Sequence, residues 1–277
     1  MTSATAIPRY GVTQQMTATT DVQRAAEKLS LLGYAVLESG YSATERAEIE
    51  THFDAPAQKV HKQYGTETLK AIDEHNSIRA PLTYDNIFLK LAQNSKVLEL
   101  CQAIFRGNFI LNQQNGVINP PQATYNQGYY HRDLPYQHFV VTPAIAINAL
   151  YCVDAFTHEN GCTKVVPASH KQGAFPSDET IREVELPVEA PAGSFIILDC
   201  MTYHSGGANK SNKARRAMNH VYTIPFIKQQ IDFTALLSGQ NLPAETVKLL
   251  DIGTSTPPQS VEEYYSRRMK KQNQIAY

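Results

Sequence analysis

From Asn108 onward the hydrophobic pattern of this chain changes period, and that change restricts its fold more than any other feature. Upstream, apolar residues recur at helical spacing. Downstream they form short runs at 109–119, 129–133, 144–153, 162–166, 184–188, 195–199 and 214–223. Turn clusters punctuate them: Asn160-Gly161, Pro191-Ala192-Gly193 and Ser205-Gly206-Gly207. The run at 144–153 is almost wholly apolar, as for a strand buried on both faces. Many short strands without interleaved helices predict a mainly β fold with flanking helices, an antiparallel double-sheet jelly roll.

The flanks read as helix. Residues 1–19 form a flexible arm, followed by a mostly helical part at 20–107. The jelly-roll core covers 108–225 and a helical extension 226–277, all in one domain spanning 1–277. Val22, Ala25, Ala26 and Leu29 mark the first helix, and residues 34–37 a short strand. Ser42-Ala43-Thr44-Glu45 is a capping-box pattern opening a helix through Phe53, which Pro56 stops or kinks. Residues 56–84 are polar and mixed, as for a segment that is partly loop near a site mouth. Helices are expected again at 97–104, 244–250 and 260–271.

Charge and cysteine usage exclude several function classes. Lys and Arg number 25 against 26 Asp and Glu, a net charge of -1. That supplies no basic field for nucleic acid and no polybasic membrane patch. No apolar run reaches 18 residues, and residues 1–20 lack the apolar stretch of a secretory signal. Cys101, Cys152, Cys162 and Cys200 form no C-x-x-C pair, which fits reduced, buried thiols in a cytoplasmic protein.

The chemistry concentrates at Gly128-Tyr129-Tyr130-His131-Arg132-Asp133. On a strand, residues two apart share a face. His131 and Asp133 would project together while Arg132 points away. His204, between the strand ending at Asp199 and a glycine pair, is the best third ligand. Two His and one carboxylate with open positions is the donor set of non-haem Fe(II) oxygenases. Eleven residues on, Arg215 begins another strand-like run and offers a bidentate partner for a carboxylate. An isolated H-x-D is more often structural; its company changes the reading.

That company is ordered: His131-Arg132-Asp133, Glu159-Asn160-Gly161 through Val166-Pro167-Ala168-Ser169-His170, Gly193-Ser194-Phe195, then His204-Ser205-Gly206-Gly207-Ala208-Asn209 and Arg215-Arg216-Ala217. Over about 110–225 the sequence resembles the phytanoyl-CoA dioxygenase family, Fe(II)- and 2-oxoglutarate-dependent oxygenases on a double-stranded β-helix (a cupin-like jelly roll). Ala168 stands where that family usually has Gly. The resemblance implies that His131, Asp133 and His204 bind iron and that Arg215 holds the distal carboxylate of 2-oxoglutarate. Arg216 is the rival, because strand neighbours face opposite ways; family members place their Arg eleven after the distal His. The family also sets a polar residue on the preceding strand near the cosubstrate. Gln113, Asn115 and Asn119 share one parity there, Asn115 being preferred.

The implied reaction consumes O2 and 2-oxoglutarate, releases succinate and CO2, and hydroxylates a small molecule. Asp133 favours oxygenation over halogenation, since related halogenases carry a small residue at that place. Tyr129, Arg79, Tyr136 and His138 are expected near the substrate. No basic cluster suits a CoA phosphate, so a secondary metabolite or modified amino acid fits better than an acyl-CoA. The alternatives are a cupin-like metal-dependent oxidase without 2-oxoglutarate and a non-catalytic jelly-roll binding protein.

Overall fold

The computed structural model describes residues 7–253 and 257–275; residues 1–6 of the expected arm and the last two residues of the extension lie outside them. Residues 7–19 carry no helix or strand. Helix α1 (Asp21–Leu32) starts at a capping box: Thr20 accepts from the Gln23 backbone N–H, and the Gln23 side chain accepts from the Thr20 N–H. Gly33, at φ 83°, ends it in the left-handed region. The chain then forms β1 (Tyr34–Glu38) and α2 (Ala43–Tyr64), the latter capped by Ser42 and Glu45.

Helix α2 neither stops nor ends at Pro56. Its buried stripe of Ile49, Phe53, Pro56 and Val60 continues at helical spacing on both sides. Packing of that stripe outweighs the cost of a helical proline, roughly 3 kcal/mol. The polar segment that follows is partly loop, as expected, at 72–76. It holds α3 (Thr66–Ala71) and the edge strand β2 (Ser77–Arg79) before α4 (Asn86–Ala92) and α5 (Ser95–Phe105).

The β region comprises β3 (Ile110–Asn119), β4 (Ala146–Cys152), β5 (Thr163–Val165), β6 (Leu186–Val188), β7 (Ser194–Asp199), β8 (His204–Gly206) and β9 (Arg215–Thr223). Two antiparallel sheets result, one in the order β1-β7-β4-β9-β3-β2 and one in the order β6-β5-β8. Strand β7 shows why its sequence is continuously apolar. Phe195 and Ile197 face the helices, packed in one cluster with Leu29, Phe53 and Leu100. Ile196 and Leu198 face the small sheet, with Phe156, Val165 and Ala217. Each such fully buried side chain contributes about 1.5–3 kcal/mol over leaving it exposed.

Four expectations fail locally. Residues 129–133 are not a strand; His131 makes a single bridge to His204. Ser205-Gly206 is not only a turn, because it extends β8 from His204. A helix, α6 (Asp178–Val184), interrupts the β region after the Ser177 cap, so Val184 is helical. The extension adds α7 (Phe233–Leu236) before α8 (Ala244–Leu249) and α9 (Val261–Ile275). Among the described residues no helix is long and apolar enough to cross a membrane. All four cysteines are buried and free.

Candidate metal centre

His131 and Asp133 reach one point without a strand beneath them. The backbone here is pinned by single hydrogen bonds: His131 and His204 exchange N–H···O bonds at 2.9 and 3.0 Å, and the Asp133 N–H donates to the Cys200 carbonyl at 2.9 Å. Alternation of side chains survives, and Arg132 turns the other way. It is 2% exposed. Its guanidinium donates to the carbonyls of Gln137, Ser169, Gln172 and Gly173 and lies over the Phe175 ring. Arg132 therefore ties the segment around Gln137 to the one at 169–173.

The ligand atoms of His131, Asp133 and His204 lie within 4.8 Å of one another. Each Nε2 is 3.7 Å from Asp133 Oδ1. Each Nδ1 meets a backbone carbonyl, that of Tyr129 at 2.7 Å and that of Thr202 at 2.9 Å. Those carbonyls set the tautomer that leaves Nε2 as the free donor, as in metal-binding histidines generally. The second carboxylate oxygen, Oδ2, accepts from Asn148 Nδ2 at 3.0 Å. This leaves two imidazole nitrogens and one carboxylate oxygen converging, a donor set that fits a divalent iron.

Electrostatics agree with that use. Burial works against ionised Asp133, but the two imidazoles and Asn148 outweigh it and hold its carboxyl down at about 2. Burial pushes the His204 imidazole toward its neutral, metal-binding form. Burial opposes charge on His131 too, but the neighbouring carboxylate prevails and raises it.

A small deep pocket adjoins these residues, lined by Val117, Tyr125, Asn148, Leu150, Leu198 and Arg215 among others. Arg215 is 3% exposed. Nη1 donates to the Gly161 carbonyl at 2.5 Å, Nη2 to the Tyr125 hydroxyl at 3.3 Å, and Nε has no partner. No carboxylate pairs with it among the described residues. Arg216 faces the helices, where Asp154, Glu50 and Asp54 hold it. Strand parity thus separates the two arginines, one into the pocket and one into an ion-pair network. The same parity sends His220 to the helix side. There it is fully buried, bonded to Gln114 and the Ala149 carbonyl, and held neutral with a pKa near 4 by that burial.

Gln113 and Asn115 do not line this pocket. Val117 does, and Asn115 and Gln113 lie two and four residues earlier, at roughly 3.3 Å per residue, in the larger cavity beside it. Asn119 lies at the opposite end and donates to the Gly207 carbonyl at 3.0 Å. Arg79 and Tyr136 also line the larger cavity, Arg79 held by Glu74. His138 lines a separate shallow depression with Phe175. Tyr129 is 71% exposed and points to solvent, because the irregular backbone does not carry strand parity back that far.

Asn148 and Tyr125 are the site residues that sequence reasoning missed. Asn148 is a polar residue inside the apolar run of β4, a signal available in the sequence. Tyr125 sits outside any strand and is betrayed only by the structure. A Cβ on Gly206 would lie 1.7 Å from its hydroxyl, so that glycine is the room the tyrosine occupies.

Comparison with known proteins agrees with this geometry. The family model for phytanoyl-CoA dioxygenase (PhyH) matches residues 30–217. The Mycobacterium tuberculosis protein Rv1501 is 30% identical over 255 residues, 89% of this chain and 92% of that one. The ectoine dioxygenase of Stutzerimonas stutzeri is 23% identical over 227 residues, covering 71% and 74%. Among solved structures, EctD from S. alaskensis, with 2-oxoglutarate and 5-hydroxyectoine, superposes with a TM-score of 0.65 at 19% identity, covering 86% and 90%. The epimerase SnoN, solved with Fe3+, alpha-ketoglutarate and nogalamycin RO, gives 0.58 at 19%, covering 86% and 93%. Those structural likenesses establish the cupin-like jelly roll. The chain belongs to the phytanoyl-CoA dioxygenase family of non-haem Fe(II)- and 2-oxoglutarate-dependent dioxygenases.

Proposed function

We propose that His131 Nε2, Asp133 Oδ1 and His204 Nε2 hold the iron, that Arg215 holds the distal carboxylate of 2-oxoglutarate, and that the product is a hydroxylated small molecule. One observation carries this reading. Arg215 is a nearly fully buried guanidinium with no carboxylate partner among the described residues, in a pocket it shares with the triad. A buried charge left unpaired costs several kcal/mol. An anionic ligand entering that pocket supplies the missing partner.

Bound iron and 2-oxoglutarate supply oxidative decarboxylation with O2, yielding succinate and CO2. The chain's own residues do the rest. The carbonyls of Tyr129 and Thr202 keep both imidazoles in the ligating tautomer. Asn148 occupies one oxygen of Asp133 and leaves the other for the metal. Arg215 orients the cosubstrate, with Tyr125 bracing its guanidinium. Leu150, Leu198, Val117 and Ala217 wall the pocket with apolar surface and exclude water. Retention of Asp133 supports oxygenation.

The four buried, unpaired thiols support action in the cytoplasm, and the near-neutral charge supports a small-molecule rather than a nucleic-acid substrate. Helices and the six-stranded sheet share one buried cluster, which supports residues 1–277 working as a single unit. The test is succinate formation from 2-oxoglutarate, with and without candidate substrates. It is expected to need added Fe(II), to stop with a chelator and to rise with the true substrate. Metal-independent succinate formation would contradict the reading.

A further inference from the structure

A cavity of about 620 Å³ opens beside His131 and Asp133, on the side away from Arg215. Its size is within the range of small-molecule sites. Carboxamides are its commonest side chains, carried by seven of the nineteen residues that line it. Asn115 on β3 and Asn219 on β9 are directly paired in the sheet, and Gln113 lies two residues before Asn115 on the same face. Gln127 closes one side and Tyr136 stands at the rim.

Several of these amides are uncommitted. Asn219 Oδ1 is buried without a hydrogen-bond partner. The side chains of Gln113 and Gln127 make no hydrogen bond among the described residues. Others are committed: Asn115, with its amide turned, donates to the Gln114 carbonyl at 2.9 Å and accepts from Arg79 Nη1 at 3.3 Å, and Asn112 and Gln229 donate to backbone carbonyls.

Charge in the cavity is nearly cancelled. Glu74 neutralises Arg79. Lys228 has no ion-pair partner among the described residues, but it stands exposed at the rim, where water screens a pair with an anion and leaves it weak. The one carboxylate among the described lining residues is Asp133, which the metal uses.

We propose that this cavity takes an uncharged, hydroxyl-rich substrate, a sugar or cyclitol unit. The inference rests on the metal-centre reading above and adds what the open side of that centre accepts. A carboxamide is donor and acceptor at once and carries no charge, and a hydroxyl has the same dual character. Hydroxyls therefore satisfy Gln113, Gln127 and Asn219 in either orientation. A hydrocarbon chain would bury those amides unsatisfied, each at the cost of its lost hydration. A cation would lose its hydration and meet no free carboxylate. Tyr136, 83% exposed, offers an aromatic face to the C–H side of a ring.

The experiment is calorimetric titration of the full chain, loaded with Fe(II) and 2-oxoglutarate without oxygen. The probes are methyl glucoside, trehalose, myo-inositol, decanoate and spermidine. Loading with 2-oxoglutarate is measured first, so its failure indicts the metal-centre reading alone. At least one hydroxyl-rich probe is expected to bind, the two glycosides and the cyclitol separating sugar from cyclitol. Gln113→Leu or Asn219→Leu should weaken that probe at least tenfold. Should the leucine variants fail to melt cooperatively, Gln113→Glu serves instead, with spermidine gaining affinity and the hydroxyl-rich probe losing it. Binding of decanoate or spermidine in preference to all hydroxyl-rich probes overturns the proposal. So does failure of all three hydroxyl-rich probes, or leucine variants that bind as wild type.

Discussion

Arg215 and Arg216 are neighbours in sequence with opposite surroundings, and exchanging each for methionine separates their roles. Arg215 is 3% exposed in the pocket beside the metal ligands, with no carboxylate partner among the described residues. A bidentate pair with 2-oxoglutarate would place two charge-assisted hydrogen bonds there, each about 1.5–3 kcal/mol. Truncating one side of such a buried pair costs roughly 2–5 kcal/mol. Arg215→Met should therefore weaken 2-oxoglutarate binding by between about one and a half and four orders of magnitude. Arg216 has 18% of its side chain exposed and spends its donors on Asp154, Glu50 and Asp54 across the sheet's other face. Arg216→Met should cost about 1–3 kcal/mol of stability, a fall in Tm of roughly 2–12 °C, and leave the cosubstrate's Kd within threefold. Calorimetric titration of 2-oxoglutarate into the metal-loaded, oxygen-free protein measures both, with a melting curve for each variant. The reasoning is refuted if Arg215→Met binds 2-oxoglutarate as wild type does, or if Arg216→Met loses it to the same degree.

Two further outcomes follow from the same geometry. Asn148→Leu removes the donor that holds Asp133 Oδ2 at 3.0 Å, and should lower metal affinity by about 10–100-fold in a Co(II) titration while keeping a cooperative melt. His220 has its pKa lowered by burial to about 4, against roughly 6.5 unfolded. The unfolded chain then binds the extra proton between those values, so this group's contribution is intact above pH 6.5 and falls away toward pH 4. The loss is about 3 kcal/mol in all, and urea melts at pH 7 and pH 4.5 should show a smaller drop for His220→Gln than for wild type.

The architecture was legible because it is written in period and polarity. The change at Asn108, the capping box at Ser42 and the apolar run of β4 each mark an element that forms where expected. Misses arise where tertiary contacts override a local rule. Pro56 stays helical because Ile49, Phe53 and Val60 are buried on either side of it. Ser177-Asp178-Glu179-Thr180 opens a helix whose apolar content is too short to stand out. At the site, the convergence of His131 and Asp133 was readable from their spacing, although the strand assumed beneath them is absent. What carries the spacing is a pair of backbone bonds to His204, invisible in one dimension. Asn148 showed as the one polar residue in the apolar run of β4 and was passed over, and Tyr125 was hidden by lying outside any strand. Gln113 and Asn115 share a face with Val117 but line the larger cavity, a height along β3 that only the sheet register reveals.

The most direct test is the visible spectrum of the oxygen-free protein titrated with Fe(II) and then 2-oxoglutarate. A metal-to-ligand charge-transfer band is predicted for wild type, saturating at one 2-oxoglutarate per chain, and absent from His131→Ala and His204→Ala. No band in folded wild-type protein, or an unchanged band in both histidine variants, would contradict the assignment of the metal centre.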